Sequence, residues 1–190
     1  MKIKKRCSWV SSDPLYIDYH DTEWGVPVFD DQLLFEYLNL EGAQAGLSWF
    51  TVLKKRENYR KLFNQFDPYK VAKYTTKKID QLALDPGIIR HRLKIEAVVI
   101  NAKAYLALLK EWDSFSQYIW HFVDGKPVVR LKSAKPITRN DVSDVMAKDL
   151  KKRGFKFVGS TICYAFMQAV GMVNDHAHDC FRCRQVRKKA

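Results

Sequence analysis

LALDPGIIRHRLKIEAVVINAKAYLALLK, residues 82–110, sets one tight turn between two helical patterns. After the turn, Ile95, Val98, Val99, Ala102, Leu106 and Leu109 keep a 3.6-residue period, which predicts a long helix from Ile88 to about Lys110. Before it, Thr76 begins a shorter helix that reaches Leu84. Asp85-Pro86-Gly87 joins the two as an αα-hairpin, with Gly87 admitting a positive φ.

The helical period continues on both sides. Leu33, Leu34, Tyr37 and Leu38 stand behind Asp30, a candidate N-cap. A helix is expected to start near Ser48, with Val52, Tyr59, Leu62, Phe63 and Phe66 on one face and Lys54, Lys55, Arg56 and Arg60 largely off it. Asp67-Pro68 ends that helix and opens another, since proline at the first helical position needs no N–H partner. Beyond the long helix, one more is expected from Ser114 to Phe122, then a turn at Asp124-Gly125. Residues 126–140, with two prolines and little periodicity, read as a surface connection between lobes. Ser143 is the expected cap of a helix that Gly154 terminates. The last helix, Ser160 to Gly171, is apolar nearly all round and is expected to be buried. Period-two alternation is nearly absent, so the predicted fold class is all-α.

A chain of 190 residues is long enough to bury a real core, here as one unit over 1–190. No apolar run approaches the ~18 to 20 residues of a membrane span. The N-terminus MKIKKRCSWVSSD lacks the apolar segment of a secretory signal, so the cytosol is the expected location. Four cysteines in a reducing compartment, beside histidines, favour metal ligation or free thiols over disulfides. The net charge of +12, from 33 Lys and Arg against 21 Asp and Glu, favours a polyanionic partner, most simply nucleic acid. A basic tail, residues 182–190, supplies part of that excess. Behind Gly87, the N–H groups that open the long helix suit a phosphate, and Arg90, His91, Arg92 and Lys94 follow at once. A helix-hairpin-helix grip on a DNA backbone, over about residues 76–100, has this construction. So does an ordinary αα-hairpin with a solvated basic face.

Two further groups of residues carry chemistry. Cys7 and His20 near one end, with His176 and Cys180 near the other, make a Cys2His2 donor set for a tetrahedral zinc that would staple the termini, segments 7–20 and 176–180. His178 and Cys183 are within reach of the same corner, while Cys163 reads as a core thiol. The N-terminal third is rich in aromatics: Trp9, Tyr16, Tyr19, Trp24 and Trp49. Such rings stack on a nucleobase, and their faces favour a cationic one; they serve a core equally well. Among them Glu41 ends an apolar helical stripe, where a carboxylate is costly to bury without a partner.

The strings RCSWVSSDPLYIDYHDTEWG, LEGAQAGLSWFTVLKKRENYR, DPGIIRHRLKI and LKKRGFKFVGSTICYAFMQAVGMVNDH, with the closing H-x3-C, resemble the bacterial 3-methyladenine DNA glycosylase I family from about Arg6 to Cys180. The resemblance implies a helix-hairpin-helix glycosylase of two helical lobes. Its structural zinc joins the termini through Cys7, His20, His176 and Cys180. It implies hydrolysis of the N-glycosidic bond of N3-methyladenine in alkylated double-stranded DNA, with the free base as product. Glu41 then meets the flipped base, Tyr16, Tyr19 and Trp49 wall it, Trp9 and Trp24 support them, and Gly46 and Leu47 supply the wedge that fills the gap in the DNA. From Ile88 to Glu111 the chain has no Asp of the kind many such glycosylases use, so Glu41 is the catalytic candidate and Glu96 a surface acid. No lysine is placed as a Schiff-base nucleophile, which predicts a monofunctional enzyme, expected to be a monomer. The rival reading is a non-catalytic, zinc-stapled protein that binds alkylated bases in DNA. A zinc hydrolase is disfavoured, because four protein ligands leave no position for an activated water.

Overall fold

The computed structural model describes residues 4–130 and 137–187 and is mostly helical. In chain order the helices are α1 (Pro14–Asp18), α2 (Asp31–Gln44), α3 (Trp49–Leu53), α4 (Arg56–Leu62), α5 (Pro68–Val71) and α6 (Thr76–Leu84), then α7 (Arg92–Leu108), α8 (Phe115–Trp120), α9 (Asp141–Lys152), α10 (Ser160–Ala169) and α11 (Phe181–Arg187). A π-helical turn, Tyr19–Glu23, extends α1. The only strands among the described residues are a parallel pair of two residues each, β1 (Val128–Val129) on β2 (Val173–Asn174). Among the described residues, no helix is long and apolar enough to cross a membrane.

The architecture is organised around α2. Asp30 caps it by accepting from the Leu33 N–H, and every residue from Leu34 to Ala43 is buried. A helix buried all round needs neighbours on every side, and α3, α7, α8 and α10 supply them. α7 carries the expected stripe, with Ile95, Val98, Val99 and Ala102 buried and Leu106 and Leu109 at its edge. α10 is only half buried: Cys163, Tyr164, Phe166, Met167 and Ala169 face the core, and Thr161 is exposed.

Several expectations are corrected. The long helix begins at Arg92, not Ile88, because Ile88 is drawn into the core, Ile89 N–H donates to the Tyr59 hydroxyl at 3.1 Å, and His91 caps α7. Gly87 keeps a φ outside the left-handed region. Its lack of a Cβ matters for space, since a Cβ there would meet Asp85 Oδ1 at 2.9 Å and Asn58 Nδ2 at 3.1 Å. The stretch from Ser48 to Phe66 is not one helix. It breaks after α3 and again after α4, where Asn64, Gln65 and Phe66 all take positive φ and bring the Phe66 ring onto Phe63 at 5.7 Å. Arg56 and Arg60, expected on the solvated face, instead reach inward to Glu23 and Glu36. The cap of α9 is Asn140, with Ser143 at the third helical position completing a reciprocal capping box. Part of the connection over 126–140 forms β1, and residues 131–136 of it lie outside the described residues. Of the basic tail, residues up to 187 form α11, where Val186 and Cys183 are buried and Asn174 Nδ2 donates to the Cys183 carbonyl. Residues 188–190 lie outside the described residues.

Candidate active site and metal centre

Glu41 sits one turn before the end of α2 and is 3% exposed. Its Oε2 has no hydrogen-bond partner, and burial alone pushes its carboxyl up to about 8. Small residues follow it, and the chain leaves α2 at Ala45, turns at Gly46 with φ +79°, and re-enters helix at α3 behind the Ser48 cap. That short return brings Trp49 back towards the α1 region. Its ring lies 5.3 Å from Tyr19, and its indole Nε1 is also buried without a partner. Tyr16 stacks on Phe50 at 4.9 Å and 26°, and Trp9, 36% exposed, leans on Tyr16 at 5.1 Å. Burial and then the charge of Glu41 raise the Tyr16 phenol, while burial, Tyr37 and Glu41 hold Tyr19 well above its ordinary value. The two tyrosines and the carboxylate therefore share one electrostatic neighbourhood. Each orphaned buried polar atom costs about 1 to 3 kcal/mol. Oε2 and Nε1 are therefore two unpaired buried polar atoms, a carboxyl oxygen and an N–H donor, held beside Tyr16 and Tyr19.

Behind this aromatic wall the four expected metal ligands meet. Cys7, His20, His176 and Cys180 are all buried, and their donor atoms lie within 4.8 Å of one another. Cys7 Sγ is 3.5 Å from His176 Nδ1, and Cys180 Sγ is 3.4 Å from His20 Nε2 and 3.7 Å from His176 Nδ1. A tetrahedral ion with bonds of about 2.3 Å to S and about 2.05 Å to N has S···N edges of about 3.6 Å. The donor set fits such an ion. Its outer layer is built as well: His20 Nδ1 meets Asp21 at 2.8 Å, Arg6 grips Asp21, and His176 Nε2 meets the Trp24 carbonyl at 3.1 Å. These contacts turn His20 Nε2 and His176 Nδ1 inward. The hydrogen bond from Cys7, against the effect of burial, holds the Cys180 thiol far below its ordinary range, helped by His176 and His20. His178 is exposed and Cys183 is buried outside the cluster, so neither joins it. Trp24 bridges the two sites, 5.0 Å from Trp9 and 4.5 Å from His176.

The hairpin residues divide. Arg90 is exposed, and Arg92 is exposed but paired with Asp80 and Glu96. Lys94 is buried, with its ammonium directed inward to the Ala43 and Ala45 carbonyls and not outward to a phosphate. Leu47, 42% exposed, projects from the turn between α2 and α3.

Sequence reasoning missed two parts of the site. Phe50 lines it through Tyr16, and its position next to Trp49 was the available signal. The other is a partly buried network in which Arg56 donates to both oxygens of Glu23, and the Tyr37 hydroxyl donates to Glu23 at 2.7 Å. It fixes the π-helical turn, and with it Tyr19 and His20, against α2 and α4. Nothing in the basic run around Arg56 marks that one cation as buried.

The sequence pattern of the family described as methyladenine glycosylase matches residues 9–183. The DNA-3-methyladenine glycosylase of Haemophilus influenzae is 57% identical over 179 residues, covering 92% of this chain and 96% of that protein. DNA-3-methyladenine glycosylase 1 of Escherichia coli is 56% identical over 178 residues, covering 93% and 95%. A solved structure of 3-methyladenine DNA glycosylase I from Staphylococcus aureus, which addresses the recognition of 3-methyladenine, superposes with a TM-score of 0.90 at 42% identity, covering 93% of this chain and 95% of that one.

Proposed function

The chain belongs to the methyladenine glycosylase family, and from that premise we propose that it hydrolyses the N-glycosidic bond of 3-methyladenine in alkylated double-stranded DNA. The observation that carries the reading is the pair of orphaned buried atoms, Glu41 Oε2 and Trp49 Nε1, beside the rings of Tyr16 and Tyr19. Methylation at N3 gives the base a positive charge. When the bond from C1′ to N9 breaks, its electron pair stays on the base, which departs neutral, and the sugar cation takes up water, whose proton passes to solvent. The base is therefore already a good leaving group. What the protein supplies is extrusion, recognition and stabilisation of the sugar cation.

Glu41 fits this task electrostatically. With its carboxyl near 8 it carries a proton at neutral pH when no cation is beside it, and an arriving cationic base favours the carboxylate. Neutral adenine brings no such gain, and the faces of Tyr16, Tyr19 and Trp49 favour the cation further. Trp9 and Trp24 back these walls. Leu47, carried at the Gly46 turn, is suited to fill the gap left by the flipped nucleotide. The helix-hairpin-helix reading of α6 and α7 rests on the short Asp85–His91 connection, with exposed Arg90 and half-buried Gly87 at its DNA side.

In the Cys7, His20, His176 and Cys180 cluster the fitting ion is zinc, which supplies a structural cross-link between the termini and no chemistry, since four protein ligands close its shell. The enzyme works as a cytosolic monomer and is monofunctional. Incubation with methylated duplex DNA should release 3-methyladenine, resolved by chromatography, and borohydride should trap no protein on abasic DNA. Tight binding without release would favour the non-catalytic damage-binding reading instead.

A further inference from the structure

Lys94 stands apart from the other basic residues behind the hairpin. It lies in the first turn of α7, where its backbone N–H is the one accepted by the His91 side chain that caps the helix. Its side chain runs the other way. The ammonium donates to the Ala43 carbonyl at 2.9 Å and to the Ala45 carbonyl at 2.6 Å. Ala43 is two residues beyond Glu41, and Ala45 is where the chain leaves α2, just before Gly46 and Leu47. Helix C-termini leave carbonyls without partners. Here two of them are satisfied by a cation from another helix. Burial pushes the Lys94 ammonium below its ordinary value, so its placement has a cost that the two charge-assisted bonds must offset.

The turn so anchored is the one that carries Leu47 and connects the helix of Glu41 to the helix of Trp49. The Leu47 N–H is closed onto Gln44 O at 2.6 Å, which keeps the turn tight, but that contact is internal to it. Lys94 ties the turn to the hairpin. On the hairpin side the chain is held as firmly: Lys55 Nζ donates to the Pro86 carbonyl, Asn58 Nδ2 to the Gly87 carbonyl, and Asp85 Oδ1 accepts from the Gly87 N–H.

We propose that Lys94 is a positioning residue that couples the hairpin to the Gly46-Leu47 turn, so that force on the duplex backbone is delivered to the wedge during base extrusion. The inference rests on the base-excision reading above. Inserting a side chain into a stacked duplex pushes back on the loop that carries it. A four-residue connection between two helices resists only if it is braced from outside itself. Lys94 provides that brace and is not a phosphate contact.

The test uses the full chain as Lys94→Met, which keeps the aliphatic stem, and as Lys94→Arg, which keeps the charge. Single-turnover release of 3-methyladenine is compared on methylated duplex and on the same strand unpaired, alongside binding of free 3-methyladenine followed by tryptophan fluorescence. For Lys94→Met the duplex rate should fall by roughly tenfold or more, the effect of a lost charge-assisted bond. The single-strand rate and free-base affinity should change far less, and Lys94→Arg should recover part of the duplex rate. Equal losses on duplex and single strand, loss in step with free-base affinity, or an unchanged duplex rate would each overturn the proposal. Should Lys94→Met fold poorly, the Leu47→Ala exchange made in wild type and in Lys94→Gln decides. Coupling requires that Leu47→Ala cost less in the Gln background than in wild type, and equal costs would refute it. If wild type releases no base at all, the excision reading fails before this one is reached.

Discussion

At Glu41 one buried carboxyl couples recognition to stability. Its value near 8, against an ordinary carboxylate near 4.5, means that the native state holds a proton between those pH values that the unfolded chain gives up. Stability of the empty enzyme therefore falls as pH rises through that window and levels off above it. The Glu41→Gln enzyme lacks this loss, so its melting temperature should exceed that of wild type at pH 9 by a margin that vanishes near pH 4, a difference of up to a few kcal/mol. A constant margin across pH would mean that Glu41 is not held protonated. The same carboxyl was legible in the sequence, because a Glu closing an apolar stripe among small residues is an anomaly with a physical cost. Arg56 and Glu23 were not. A cation in the run KKRENYR looks solvated until tertiary contact shows that Glu23, itself held by the Tyr37 hydroxyl, receives it.

Among the elements, the ones readable in advance were those whose local signals agree. Asp30, Ser48 and Asp67 each cap the helix they precede, and α7 buries the stripe its period marks out. The failures fall where tertiary packing overrides the period: three successive left-handed residues at Asn64–Phe66, and a hairpin drawn into the core at Ile88. Gly171 shows how tightly two elements meet. It has φ +72°, and a Cβ would lie 2.4 Å from the backbone of Val26 and Pro27, where neither partner can yield. Gly171→Ala should cost at least about 2 kcal/mol in denaturant unfolding. A neutral result would show that the segment before α2 moves freely against the end of α10. By contrast Asn140→Ala, which removes half of a capping box, should cost only about 1 kcal/mol.

For the whole molecule, the termini, the aromatic pocket and the metal cluster form one structure. His20 and Tyr19 are adjacent in a single π-helical turn, one facing the cluster and one the pocket, and Trp24 packs on His176. Chelation should therefore lower the melting temperature sharply, release one zinc per chain and abolish excision together. Excision by a folded, metal-free Cys180→Ser chain would remove the cluster from that role. The Cys and His residues were visible as a donor set, but their meeting across the length of the chain was not written in any local spacing; it follows from the end of α10 and the start of α11 returning to the N-terminal segment, where the Val28 N–H donates to the Val170 carbonyl and the Phe181 N–H to the Lys5 carbonyl. If Glu41, beside Tyr16, Tyr19 and Trp49, drives excision of 3-methyladenine, single-turnover release of that base from methylated duplex DNA by wild type and Glu41→Gln side by side will show it. The expected result is release by wild type with a deficit in the variant of about 1 to 3 kcal/mol, the range for a lost charged hydrogen bond. Equal release by both would take Glu41 out of the site.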